Sequence, residues 1–195
     1  MVPTSARYSD ALAWAADLHA GQLRKGSGHP YVAHLLSVSA LIWRDGGSEE
    51  EAIAGLLHDA IEDQGVTKAQ IAERCGDRVA HIVELCTDAE GSPKPPWQAR
   101  KEAHLAKLRQ VHDVDVLRVV AADKLDNALS VLGDHDQVGA RIWDIFTGGR
   151  EGTAWYYGAM AELLSASAPQ LDLVRRLKVA AAELEARAAA DGREG

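Results

Sequence analysis

His58 and Asp59 stand side by side in Leu56-Leu57-His58-Asp59-Ala60-Ile61-Glu62-Asp63, so three acids fall within five residues of an otherwise apolar segment. At helical spacing His58 lies above Glu62 and Asp59 above Asp63. Acids packed this closely repel one another and are costly to desolvate without a cation. His34 and Asp123 are the other candidates, each lodged in an apolar run; Asp123 follows Leu117, Val119, Val120, Ala121 and Ala122. Two imidazoles and two carboxylates make a nitrogen and oxygen site suited to Mn, Fe, Co, Ni or Zn in an open, partly hydrated geometry. A cation held there lowers the pKa of a bound water and creates a nucleophile near neutral pH. A single buried histidine is ordinarily a hydrogen-bonded core residue, and an Asp-Lys pair such as Asp123-Lys124 a solvated patch; the combination is what points to a metal.

The elements that must position these residues read as helices. Alanine is abundant and β-branched residues rarely alternate with polar ones, which predicts an all-α fold. Ser5 or Ser9 starts a first helix running to about Gly21, Pro30 opens a second, and Gly46-Gly47 closes it. Ser48 with Glu51, and Thr67 with Gln70, have the spacing of capping boxes. Asp77 caps a further helix. Gly91, Ser92, Pro93, Pro95 and Pro96 break helicity, and helices follow near 97–110, 114–132, 136–146, 153–165 and 169–187. Residues 188–195 read as a frayed tail.

The chain has 195 residues, 47% hydrophobic, 26% charged and 5% aromatic, with a formal charge of -8. Its length suits one domain, taken as 1–195, with a core large enough to fold without staples. The acidic balance argues against nucleic acid or an anionic membrane as the main partner. Cys75 and Cys86 are too few for a disulfide framework, and no secretory signal opens the sequence, so cytoplasmic residence is expected.

Three segments carry a family resemblance. Gly21-Gln22-Leu23-Arg24-Lys25-Gly26-Ser27-Gly28-His29-Pro30-Tyr31-Val32-Ala33-His34, then Leu56 to Asp63, then Ala122-Asp123-Lys124-Leu125-Asp126-Asn127 together resemble the HD-domain hydrolases of the RelA/SpoT alarmone family. They are similar in particular to the stand-alone small alarmone hydrolases. The resemblance runs in order from about Tyr8 to about Tyr157. It implies a helical HD bundle in which His34, His58, Asp59 and Asp123 ligate a metal, usually manganese, while Glu62 and Asp63 position or activate the attacking water. The implied reaction removes pyrophosphate from the 3′ position of guanosine tetra- or pentaphosphate (ppGpp, pppGpp), leaving GDP or GTP. It implies no synthetase.

The same resemblance makes Arg24 and Lys25 a nucleotide-binding pair, with the arginine packing on or beside the base. Asn127, one helical turn beyond Asp123, can face the same pocket and offer a donor and an acceptor. Lys94, Arg100, Lys101, Lys107 and Arg109 form a locally basic stretch suited to the distal phosphates. Arg150 and the Trp155-Tyr156-Tyr157 cluster resemble the late substrate-facing segment, which adds Arg150 and Tyr156 to the contacts. Two positions depart from the family. Trp97 stands about where some small hydrolases have a phosphate-contacting lysine, and Leu35 follows His34 where proline is common. Two other readings stay open: hydrolysis of an adenosine-based alarmone or NADPH, and noncatalytic nucleotide sensing. Oligomeric state is left open by the sequence.

Overall fold

The computed structural model describes residues 4–88 and 95–193. Among them the chain is helical, with one isolated β-bridge between Leu23 and Pro30. The helices are α1 (Ala6–Leu18), α2 (Val32–Arg44), α3 (Glu49–Leu57), α4 (Ala60–Gln64), α5 (Lys68–Cys75) and α6 (Asp77–Cys86). After these come α7 (Trp97–Leu108), α8 (Val114–Val138), a 3-10 helix (Gly139–Ile145), α9 (Gly149–Ser167) and α10 (Asp172–Asp191).

Helix α3 and the middle of α8 are buried nearly all round; α3 leads into His58 and Asp59, and α8 carries Asp123. Every residue of α3 from Glu51 to Leu57 is buried, as are Val119, Val120, Ala121, Ala122 and Asp123 of α8. Such helices belong inside a bundle rather than on its surface. α8 packs against α2, α3, α6, α9 and α10. A polar side chain on one of these helices therefore faces other protein groups or an interior cleft. Both capping boxes form: Ser48 with Glu51 at the start of α3, and Thr67 with Gln70 at the start of α5. No helix among the described residues is long and apolar enough to cross a membrane.

The structure moves several expected boundaries. α3 ends at Leu57, and His58 and Asp59 form a turn before α4, with Asp59 at φ -99°, ψ 0°. α8 runs through Gly133 to Val138, so the segment expected as a separate helix at 136–146 is the end of α8 followed by the 3-10 helix. α10 continues to Asp191, where a frayed tail was expected from 188. Ala188 is buried, and the Asp191 carboxylate accepts from Trp143 Nε1 at 2.6 Å and lies 2.9 Å from His135 Nε2. Those contacts hold the last turn in place.

Candidate metal centre and nucleotide cleft

α2 delivers His34, the α3–α4 turn delivers His58 and Asp59, and α8 delivers Asp123. His34, His58 and Asp59 bring ligand atoms within 4.8 Å of one another. Asp123 Oδ1 joins them, 3.4 Å from His34 Nε2 and 3.5 Å from His58 Nε2, while Asp59 Oδ2 lies 3.0 Å from His58 Nε2. In the turn after Leu57, adjacent residues His58 and Asp59 bring Nε2 and Oδ2 within 3.0 Å of each other.

The outer nitrogens settle the tautomers. His34 Nδ1 donates to Asp126 Oδ2 at 2.6 Å and His58 Nδ1 to the Gly55 carbonyl at 2.8 Å. Both inner Nε2 atoms are thereby left to face each other at 3.3 Å. That arrangement beside two carboxylates attracts positive charge, carried by a proton on a ring nitrogen or by a metal ion. Burial opposes a charge on His58, yet the Asp59 and Asp123 carboxylates hold its imidazole well above its ordinary pKa. Asp123 is also buried, and Lys124 and His58 outweigh that to hold it well below the usual carboxylate range. The cluster thus calls for a cation, and a His2Asp2 donor set with ordered outer nitrogens fits a divalent one.

A cleft of about 510 Å³ lies beside the centre, and its wall includes Tyr31, Lys124 and Asn127, which hydrogen-bond to Asp59 and Asp123. Glu62 and Asp63 of α4 lie on its wall; Asp63 Oδ2 accepts from Gln22 Nε2 at 2.7 Å and Glu62 faces Arg100 at 3.6 Å. Cations line other parts of it: Arg24, the exposed Lys25, Arg100, Lys101 and Lys124. Arg24 Nη1 donates to Asn127 Oδ1 at 3.0 Å, and Asn127 Nδ2 donates to Asp123. Tyr156 is buried in the wall with its hydroxyl unpartnered and Lys101 Nζ 4.8 Å above its ring. Burial pushes its phenol up to about 12. An anionic, planar ligand suits such a cleft.

The HD-domain profile matches residues 11–154, which contain all of these groups but Tyr156. The chain belongs to the HD-domain family. Within it, the chain is similar to the hydrolase domains of RelA/SpoT proteins. It is 38% identical over 120 residues, 60% of this chain, to a Synechocystis protein named a probable guanosine-3′,5′-bis(diphosphate) 3′-pyrophosphohydrolase. It is 31% identical over 137 residues, 68% of this chain, to a Myxococcus xanthus GTP pyrophosphokinase. The matches span only 16% and 18% of those two relatives. In structure it resembles a metazoan ortholog of SpoT, with a TM-score of 0.72, 21% identity, and coverage of 94% of this chain and 96% of the other. That likeness establishes a shared fold.

The HD domain does not gather every residue singled out from sequence. Arg150 lines a different groove, between α9 and α10, beside Gly158 and Gly192. It is six residues from Tyr156, roughly 240° around the helix axis. Lys107 is spent on the Glu84 and Thr87 carbonyls at the C-terminal end of α6. Lys94 lies outside the described residues. Trp97 does face the cleft, wedged against Gly148 and Gly152, where an added Cβ on Gly148 would come within 2.7 Å of the indole. Leu35 is fully buried in α2 and leaves His34 in place.

Sequence reasoning assigned no role to several neighbours that the fold brings in. Tyr31 donates its hydroxyl to Asp59 Oδ2 at 2.5 Å, and Gln22 holds Asp63. Lys124 is half-buried against Asp123 rather than freely solvated. Asp88 binds Lys101 at 2.5 Å and Arg100 at 3.3 Å. Asp126 stands behind His34, and its carboxyl is held below the ordinary range by the His34 and Ser37 hydrogen bonds, against the effect of burial. The tyrosine, glutamine and acid-lysine pair sit inside the three segments quoted above, so their place was visible; their partners were not.

Proposed function

We propose that this HD domain hydrolyses the 3′-diphosphate of guanosine 3′,5′-bis(diphosphate) or its pentaphosphate analogue, releasing pyrophosphate and GDP or GTP. The observation that carries this reading is a His2Asp2 cluster beside a cleft that holds an acidic pair and five cations. A guanosine nucleotide with diphosphates at both ends matches that charge, and the named activity of the Synechocystis relative supports it.

His34, His58, Asp59 and Asp123 would hold a divalent cation, manganese by resemblance, which supplies positive charge at the phosphoryl oxygens and acidifies water there. Asp63, steadied by Gln22, and Glu62 orient the attacking water and take its proton. The water oxygen bonds to the phosphorus attached to the 3′ oxygen. The bond from that phosphorus to the 3′ oxygen breaks, and the 3′ oxygen leaves with a proton. Arg100, Lys101 and Lys124 offset the charge of the departing pyrophosphate. Arg24 is placed to stack on the base and Lys25 to meet phosphate at the mouth. The free thiols of Cys75 and Cys86 suit the reducing cytoplasm in which such a nucleotide occurs.

The test is pyrophosphate release from a panel of nucleotides by the purified chain, with Mn2+ or with excess chelator. Metal-dependent release from ppGpp, lost by orders of magnitude in Asp123→Ala, is expected. Tight nucleotide binding without turnover in several metals would retire catalysis in favour of sensing. Turnover confined to adenine substrates would retire the guanine assignment and leave the metal centre standing.

A further inference from the structure

An imidazole can offer a lone pair from only one nitrogen when neutral, and the group bonded to the other nitrogen decides which. For His34 that group is Asp126. Its Oδ2 lies 2.6 Å from His34 Nδ1, and its Oδ1 accepts from the hydroxyl of Ser37, one turn along α2 from His34. Arg24 Nη2 stands 3.9 Å from the same Oδ2. Asp126 is three residues beyond Asp123, so one turn of α8 sends one carboxylate to the front of the centre and another behind its imidazole.

We propose that Asp126 is a positioning residue of the metal centre: it locks His34 with Nδ1 protonated and Nε2 bare, and it ties that turn of α8 to the nucleotide-facing Arg24. The proposal rests on the reading of His34 as a metal ligand. Its physical content is the charge of the acceptor. A carboxylate accepting from an imidazole N–H makes the opposite nitrogen a better donor and fixes the ring plane, and loss of such a partner typically weakens metal binding about 10- to 100-fold. An asparagine has nearly the same shape but is neutral, and its amide nitrogen competes to sit where Oδ2 sits. The Ser37 hydroxyl acts one step further back, by fixing which oxygen faces the ring.

The experiment titrates the full chain, stripped of metal, with Mn2+ alone and follows free Mn2+ by electron paramagnetic resonance. A second readout, the nitrogen chemical shifts of the 15N-labelled His34 ring, reports the tautomer without any turnover. Asp126→Asn is expected to raise the Mn2+ dissociation constant about 10- to 100-fold and to mix the tautomers. Ser37→Ala, a milder change that keeps the fold if the first does not, is expected to raise it several-fold, roughly as a weakened orienting bond should. If the unaltered chain takes up no Mn2+, the metal reading falls and the proposal with it. If the unaltered chain binds tightly and both variants match it, with the tautomer unchanged, the role of Asp126 is overturned alone.

Discussion

Asp123 divides its two oxygens between two tasks: Oδ2 lies 2.6 Å from Lys124 Nζ, while Oδ1 faces the Nε2 atoms of His34 and His58 at 3.4 and 3.5 Å. With Asp123 as a metal ligand, a lysine on its outer oxygen would drain charge from the ligand, a cost that a second use of the ammonium offsets. Its Nζ also lies 5.9 Å from the Tyr156 ring centroid, on the cleft wall. A phosphate entering the cleft meets that ammonium beside the centre.

Lys124→Met should therefore harm substrate use more than metal binding. Losing a charge-assisted contact worth about 1.5–3 kcal/mol lowers kcat/KM roughly 10- to 100-fold. Most of it should show as a higher KM for ppGpp. Mn2+ affinity should hold or improve, since Asp123 regains full charge. A variant with weakened Mn2+ binding and unchanged KM would contradict this division of labour.

If the proposed activity needs Lys101 as a cation, Asp88 is expected to set its alkaline limit. Burial and the nearby Lys124 ammonium both pull Lys101 below its ordinary pKa, and the Asp88 carboxylate opposes them. Asp88→Asn removes the opposing charge, so Lys101 loses its proton at lower pH. The descending limb of the pH-rate profile should move to lower pH, with KM rising first. An Asp88→Asn profile that overlays the original would show that Lys101 is not needed as a cation.

Gly26 links Arg24 and Lys25 to the rest of the molecule. Its φ is +88°, and an added Cβ would overlap the Asp134 carboxylate. Gly26→Ala should cost about 1 kcal/mol or more in stability, because alanine is strained at positive φ. The larger effect should be on nucleotide affinity, through displacement of Arg24. Urea denaturation and equilibrium binding of GDP, compared side by side, measure the two.

The capping boxes, the glycine stops and the apolar faces lie within a few residues of one another, so most helix positions were legible in the sequence. Gly133 was not. A glycine there reads as the end of a helix at 132, yet α8 passes through it with its Cβ position open to solvent. A helical glycine costs roughly 1 kcal/mol, and packing of α8 against α10 and α2 outweighs that. The His58-Asp59 turn was hidden for a similar reason: the two adjacent residues read as helix until His34 of α2 and Asp123 of α8 are brought beside them. Asp126 and Asp88 meet partners that helical spacing does not reveal, His34 lying 92 residues from Asp126 and Lys101 lying 13 residues from Asp88 across the break before α7. Arg150 shows the opposite error. Resemblance placed it in the cleft, and the 3.6-residue period of α9 turns it away.

The α8 N-terminus gives a stability prediction independent of the cleft. Asp113 caps α8 by accepting from the Asp115 backbone N–H at 3.1 Å, and Arg78 grips the same carboxylate with two bonds of 2.6 and 2.8 Å. The Arg78 hydrogen bonds are the largest reason its pKa lies below the ordinary carboxylate value. A folded-state pKa below the unfolded one means that the contribution is complete above about pH 4, the unfolded value. It is lost as pH falls through the folded pKa. Both side chains are partly exposed, so the pair should contribute no more than about 1 kcal/mol. Arg78→Ala should thus lower unfolding free energy by about that much at pH 7, with the gap between the two proteins narrowing below about pH 4. Urea titrations at pH 7, 5 and 3.5 test it, and a gap that stays constant to the lowest pH would show that the Arg78 side chain acts through packing rather than through its charge.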